Sequence, residues 1–481
     1  MPGHIYAGIG MWHEAAIAMD SATRVELKHM NERLALPSEN WNYPHNRDYL
    51  CYIQEQLGRA EDSLKGIRDL INSPKDPAVA ASMYPAIFPH MRALLKFERW
   101  EEILDEKVLP ASTDPEFGPL LKAARVIALV GLGRGGEARA ALDDARSGAK
   151  KMLEEIIAKD PDHAEAIRKD FEANEPAVFR VAEAKVLLAE GKKDEGVKIL
   201  LDLAAKQQAS REKRTYANDP PFEAWPVIRL AGDAYLEAGD FAKAVECYEQ
   251  TSDFVVNDAW ALAGLARAHA GLGSWDKAAE HAGRFLAVWS GADPNLRPMK
   301  EVLALGLKAK PKAVTFKPER EYNPADLARF GPSNWEPFAA PELDCRDSKG
   351  RRFRISDLKG KNVLLVFYLS DQCVHCMEQL GAINARIKEF SDLNTVAVAV
   401  SGATPAANRE STKLAPFSIG LLSDVNHVNA RRFASYDDME DIELHSTTLI
   451  DAQGRVRWKR SGGDPFADVD FLLNEIRRWG R

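Results

Sequence analysis

The chain lacks what would anchor it in a membrane or on a nucleic acid. No run of 18 or more apolar residues occurs in its 481, which excludes a helical bilayer span. No basic excess occurs either. With 64 Lys and Arg against 72 Asp and Glu the formal net charge is -8, so the footprint that neutralises phosphates is missing and nucleic acid is not an expected partner. The acidic excess lies wholly before Pro341. Cysteine is scarce, at five residues. Two of them form a single C-x-x-C, and Cys51, Cys247 and Cys345 stand alone, a distribution unlike a disulfide framework. The three scattered cysteines read as small buried hydrophobes. A second C-x-x-C or a C-x-x-H is missing, so a structural zinc site is not built and no metal is assigned. Met1-Pro2-Gly3-His4 has no basic start and the segment to Asp20 is amphipathic rather than an apolar block. A cytoplasmic location is therefore the expectation, with export open if the N-terminus is truncated.

What fills the first two thirds is a recurring pattern: an apolar helical stretch, a Gly, an aromatic or apolar residue, then an Ala-rich helix. Its clearest copies are Leu230–Ala244, with Gly239 followed by Phe241, and Leu262–Ala279, with Gly273 followed by Trp275. Small residues let two helices approach, the Gly ends the first, and the aromatic packs on the next helix. Looser copies turn at Gly10, Gly58, Gly133 and Gly191, and around Phe97-Glu98-Arg99-Trp100. The 34-residue interval between Gly239 and Gly273 is the period of the tetratricopeptide repeat, and the segment resembles that family. The resemblance implies an all-α solenoid that holds a protein partner in a groove. The 48-residue intervals from Gly10 to Gly58 and from Gly191 to Gly239 imply inserted loops, one of them Lys206–Pro226 with Tyr216, Pro220, Pro221, Trp225 and Pro226. His4, His45 and His90 lie close after prolines and read as helix-start residues rather than as a cluster, since His4 and His45 stand at different distances from their following turns.

From Ala292 prolines recur at 294, 298, 311, 318, 324, 332, 337 and 341, which disfavours continuous helix and predicts a linker with a short helix at Met299–Lys308. The expected organisation is therefore multidomain: an all-α helical-repeat solenoid over 1–291, a Pro-rich linker over 292–340, and an α/β domain over 341–481.

In that last part the period changes. Leu343–Asp357 reads as a hairpin about Asp347–Gly350, Asn362–Leu369 as a buried strand, and the segment after Cys373 as a helix to about Phe390. Strands follow at Thr395–Val400 and Ser418–Leu422 around a helix at Thr404–Leu414. A hairpin about Ala452-Gln453-Gly454 and a closing helix over Pro465–Trp479 end the chain. A strand, then C-x-x-C opening a helix, then a terminal hairpin and helix, resembles the thioredoxin superfamily. Phe367-Tyr368-Leu369-Ser370-Asp371-Gln372-Cys373 and Leu449-Ile450-Asp451-Ala452-Gln453-Gly454-Arg455-Val456 give it the look of the branch that holds peroxiredoxins (AhpC/TSA redoxins) and bacterial thioredoxin-like reductases.

A thiol attacks as thiolate, and a helix N-terminus stabilises that anion. Cys373 is thus the expected nucleophile and Cys376, one turn on, the resolving thiol. His375 between them is expected to favour the thiolate as a partly protonated imidazole. No cofactor beyond the Cys373–Cys376 disulfide is implied, and a thiol reductant must close the cycle. Two departures from the resembled families mark the periphery of the site. Ser446 stands where thioredoxins place a cis-proline. Of the peroxiredoxin pattern P-x-x-x-[TS]-x-x-C, Ser370 supplies the hydroxyl, but Val366 replaces the proline and His445 stands near where the family's arginine would fall. The acidic run Asp437–Glu443 reads as a solvated loop.

The function expected from these residues is thiol-disulfide oxidoreduction, with the repeats recruiting a protein substrate. Peroxide reduction is the alternative, followed by a scaffold with a sensory or inactive redoxin domain. Copper handling by Cys373, Cys376 and His445 is disfavoured, because redoxin-fold copper chaperones use C-x-x-x-C.

Overall fold

The computed structural model describes residues 2–75, 86–112, 117–173, 175–212, 219–311, 322–414 and 417–479; Tyr216 and Pro318 lie outside them. The chain divides into two compact units, one of residues 1–24, 44–72 and 85–333, the other of residues 25–43, 73–84 and 334–481. Among the described residues no helix is long and apolar enough to cross a membrane.

The first unit is helical. Val227–Glu237 packs on Phe241–Thr251, and Ala259–Gly271 on Trp275–Val288. Each pair is joined by the same helix stop. At the first, the amides of Gly239 and Asp240 donate to the carbonyls of Leu236 and Tyr235 at 3.1 and 2.9 Å, satisfying the orphan carbonyls of the last turn. This requires φ near +75° at Gly239. No atom stands within 4 Å of where its Cβ would be, so backbone conformation alone selects glycine there. Gly10, Gly58, Gly133, Gly191 and Gly273 share the left-handed conformation, as does Glu98 at φ +58°.

Close approach is a separate requirement. A Cβ on Gly264 would lie 2.3 Å from Tyr248 Cζ, and Tyr248 is held there by donating its hydroxyl to Asp233 at 2.8 Å. The aromatic after the turn behaves as the sequence implies in two places, Phe241 lying on Gly271 and Trp100 on Gly131. Trp275, after the last such turn, is 56% exposed. The described part of the insert contributes Phe222 and Trp225 to an apolar cavity of about 750 Å³, shared with Met91, Leu95 and Phe179.

A buried ionic cluster crosses this core. Arg92 donates to Asp48 at 2.7 Å, to Glu55 at 3.0 Å and to the Pro221 carbonyl at 2.9 Å, with all three charged side chains wholly buried. Lys96 lies over the rings of Tyr52 and Trp260. His4 and His45, read apart in the sequence, meet Nε2 to Nε2 at 3.1 Å. Counting residues to each turn compared positions on two different helices, whereas contact depends on how those helices lie side by side. Among the described residues after Ala292, helix is interrupted but parts of the segment are packed. A helix runs Arg297–Ala304 with Pro298 in its first turn, and Tyr322 and Leu327 are buried in the helical core. Tyr322 donates to Asp20 at 2.7 Å.

The second unit is built on a mixed seven-stranded sheet in the order β2-β1-β5-β4-β3-β8-β9, where β1 is Asp344–Asp347, β2 Arg352–Arg354, β3 Asn362–Phe367, β4 Thr395–Ser401, β5 Gly420–Ser423, β8 His445–Ile450 and β9 Val456–Gly462. β6, Tyr436–Asp437, and β7, Ile442–Glu443, form a separate two-stranded sheet. β3, β4 and β5 are parallel, while β8 runs antiparallel to β3 and to β9. The central strand β3 is apolar on both faces because both are covered. The helix after the cysteines ends at Ala385, and a second covers Ile387–Asp392. The closing helix begins at Val469, and the short helix Val428–Arg432 had no sequence signal. Leu36 is fully buried in the core of this unit, and Trp458 Nε1 donates to the Lys75 carbonyl at 3.1 Å. Neither N-terminal segment was expected here. The architecture is that of a thioredoxin-fold domain.

Candidate functional site

β3 ends at Phe367, and the chain turns through Ser370 and Asp371 into the helix Val374–Ala385. Cys373 caps that helix: its sulfur accepts the Cys376 amide at 3.3 Å, where free N–H groups and the helix dipole favour an anion. Half-buried Cys373 can meet a partner, while Cys376 is fully buried. Burial, and then the hydrogen bond to the Cys373 sulfur, push the Cys376 thiol up to about 11. Burial likewise raises the remaining cysteines, Cys51 and Cys345 to about 12 and Cys247 to about 11.

The imidazole that meets the sulfurs belongs to His445. Its Nε2 lies 3.1 Å from Cys376 Sγ and 3.7 Å from Cys373 Sγ, and it is buried. His445 opens β8, and the pairing of Ser446 with Phe367 sets its position. His375, expected to act on the thiolate, instead projects into solvent with its Nδ1 3.4 Å from Glu378. The reason is helical geometry. At about 100° per residue, His375 points some 200° away from the direction of Cys373, whereas Cys376 returns to nearly the same face.

The other peripheral residues separate into two kinds. The Ser370 carbonyl accepts the Cys373 amide at 3.3 Å, and its hydroxyl accepts from the Gln372 amide, so Ser370 shapes the turn into Cys373. Ser446 is buried and accepts a hydroxyl hydrogen bond from Ser461 at 3.0 Å, which ties β8 to β9. Val366 lies inside β3, paired with Ala399 and Thr447; a proline there would remove an amide from a central strand. The acidic run is not uniformly solvated. Asp438 pairs with Arg431, but Glu443 is buried, accepts from the Gly402 amide at 3.2 Å and meets His427 Nδ1 at 3.0 Å. Burial first of all raises its carboxyl above the usual range.

Gln379 went unnoticed in the sequence. Buried one turn beyond Cys376, it donates to Thr447 Oγ1 at 2.8 Å and to the Phe466 carbonyl at 2.9 Å, fastening the cysteine helix to β8 and hence to His445. A polar residue in phase with the cysteines on an otherwise apolar helix face was the available signal. Among the described residues, the donor atoms of Cys373, Cys376 and His445 lie within 4.8 Å of one another and form a group able to hold a metal ion.

Residues 338–459 match the AhpC/TSA family. Similar curated proteins include the chloroplastic peroxiredoxin Q of Oryza sativa subsp. japonica, 28% identical over 121 residues, 25% of this chain and 56% of that protein. The mitochondrial thioredoxin-dependent peroxide reductase of Drosophila melanogaster is 29% identical over 139 residues, 27% of this chain and 59% of that one. The chain thus spans little more than half the length of these relatives. A solved structure with similarity is the peroxidoxin BcpB of Mycobacterium tuberculosis, with 20% identity, a TM-score of 0.28, and coverage of 30% of this chain and 96% of that one. The C-terminal part of the chain is a peroxiredoxin-like redoxin domain of the AhpC/TSA type.

Proposed function

We propose that this domain is a thiol-disulfide oxidoreductase in which Cys373 attacks, Cys376 resolves and His445 takes the Cys376 proton and passes it to the leaving thiolate. The supporting observation is the meeting of one imidazole with both sulfurs, one half-buried at a helix N-cap and the other buried. The Cys373 thiolate attacks a substrate disulfide, forming a mixed disulfide and releasing one substrate thiolate. His445 takes the proton of Cys376, whose thiolate attacks the Cys373 sulfur. The second substrate thiolate leaves and accepts that proton, and the Cys373–Cys376 disulfide remains for an external thiol to reduce.

The family match favours a second reading, in which a hydroperoxide is the oxidant. Cys373 then becomes a sulfenic acid as the peroxide O–O bond breaks and an alcohol or water leaves. Cys376 displaces water from it to give the same disulfide.

Protein recruitment by helical repeats completes the proposal, supported by the recurring helix stop and by the apolar cavity that Trp225 lines. One experiment addresses all three parts. Full-length Cys376→Ser is expected to accumulate mixed disulfides on Cys373 that mass spectrometry identifies, and Trp225→Glu in that background to thin the set of trapped proteins. Stable trapping with a peroxide-derived sulfenic acid and no protein adduct would favour the peroxide reading. A Cys373 that alkylates no faster than a free thiol and forms no bond to Cys376 would end both.

A further inference from the structure

We infer that the helical unit carries a binding site for a divalent metal ion of the zinc type, held by His4 Nε2, His45 Nε2 and Asp219 Oδ2, with water in the remaining position. All three residues belong to the first compact unit. They come from three separate stretches: the helix Pro2–Gly8, the helix Asn42–Gln56 and the insert before Phe222. The two imidazole nitrogens stand 3.1 Å apart. Two nitrogens bound to one zinc at about 2.0–2.1 Å, meeting at about 100–110°, are roughly 3.1–3.4 Å apart, so the pair already has the spacing of two ligands of one ion. Asp219 Oδ2 is 4.0 Å from His4 Nε2, and closing by about half an ångström brings it to the separation of a zinc-bound oxygen and nitrogen. The Asp219 side chain is 59% exposed, so that move opens no core.

Packing sets the positions of the rings. Tyr49, one turn after His45 on the same helix, is buried with its ring 4.3 Å from that of His4 and 6.0 Å from that of His45. The two imidazoles lie within 15° of parallel, their centroids 5.3 Å apart, so their Nε2 atoms face one another and can share only one proton. Loading swings both lone pairs towards a common point beside the carboxylate. The ring that carried its proton on Nε2 then carries it on Nδ1, and no oxidation state changes. Both imidazoles bind as the neutral form, the one a metal takes.

The donor set chooses the ion. Two imidazoles and a carboxylate suit zinc and its neighbours in the transition series, whereas magnesium and calcium take oxygen donors. Three protein ligands and a water complete a zinc shell of four. Asp219 lies three residues before Phe222 and six before Trp225, both of which line the apolar cavity, and the Pro221 carbonyl in the same stretch is held by Arg92. A bound ion therefore fastens the start of this stretch to the two histidine helices and stiffens one wall of the cavity. The inference uses no residue of the redoxin domain, so it stands or falls apart from the chemistry of Cys373.

The test is equilibrium dialysis of the full-length protein against Zn(II), with Cys373→Ser and Cys376→Ser introduced together so that no thiolate of the redoxin domain competes. One Zn(II) per chain is expected to bind saturably and to resist an excess of Mg(II) or Ca(II). His4→Ala and His45→Ala are each expected to weaken binding at least about tenfold, and Asp219→Asn, at an exposed position, to weaken it about tenfold. His163→Ala, on the surface beside Asp160, is expected to leave it unchanged, with circular dichroism as a check on the folding of every variant. X-ray absorption of the loaded protein is expected to show two imidazoles and no sulfur around the ion. Absence of saturable binding, affinity unchanged in either histidine variant or in Asp219→Asn, or binding that depends on His445 would each overturn the assignment.

Discussion

Replacing His445 with alanine separates the two chemical steps of the proposed cycle. A buried thiol whose pKa is about 11 is ionised at pH 7 to roughly one part in 10⁴. Resolution through Cys376 would therefore be slow without a proton acceptor, and the His445 Nε2 at 3.1 Å is placed to be one. Positioned general bases contribute about 10²- to 10⁴-fold. The reaction can be followed by stopped flow with an aromatic disulfide such as 5,5′-dithiobis(2-nitrobenzoate). Attack by Cys373 releases one equivalent of coloured thiolate and resolution by Cys376 the second. His445→Ala is expected to slow the second release by about 10²-fold or more at pH 7 and to affect the first much less. In the variant the second rate should climb about tenfold per pH unit towards 11, because only spontaneous ionisation remains. A second phase unchanged in rate and in pH slope, in His445→Ala and His445→Gln alike, would refute the base assignment.

Three further outcomes concern stability. Gly264→Ala, whose Cβ would meet Tyr248 Cζ at 2.3 Å, is expected to cost roughly 1–3 kcal/mol in urea unfolding. Gly239→Ala, with open space but a φ of +75°, should cost only about 1 kcal/mol, and the reverse order would contradict the close-approach argument. Arg92→Leu strands the buried charges of Asp48 and Glu55 and is expected to cost about 3–5 kcal/mol, which replacing all three residues by apolar ones should largely recover. His90 is buried next to Arg68, and burial first holds it down at about 4 from 6.5. Because the folded value is the lower one, its contribution is complete above pH 6.5 and disappears as pH falls towards 4, on the order of 3 kcal/mol. His90→Leu should flatten acid unfolding across that window, and an unaltered profile would mean that another group governs it.

The redoxin half was largely legible because its signals are local: apolar strand runs, a C-x-x-C after a strand, and a turn at Asp451–Gly454 that bends back by accepting its own amide at 2.8 Å. Cys373 and Cys376 follow from those signals. His375 misled because neighbours along a helix diverge in space, whereas His445, 69 residues from Cys376, arrives through strand pairing that no single segment encodes. Leu36 offers a similar lesson. It lies in the short break between the helix that ends at Arg33 and the turn Pro37–Glu39, a place that gives no local sign of a partner, yet it is buried with the sheet. In the helical half the turn glycines were readable from a backbone requirement that belongs to each residue alone. The Arg92 cluster was not, since Asp48 and Glu55 on the helix Asn42–Gln56 meet Arg92 from another helix, Ile87–Lys96.

The register of β8 has a consequence for how this site tolerates change. Leu444, His445 and Ser446 are consecutive, and strand residues alternate between faces, so one inserted or deleted residue between Ser446 and Ile450 would turn the imidazole away from the sulfurs and present a leucine or a serine instead. The hairpin of β6 and β7 just before it is anchored differently, through buried Glu443 on the Gly402 amide and His427, while the placing of His445 against the sulfurs stays fixed by the pairing of Ser446 with Phe367.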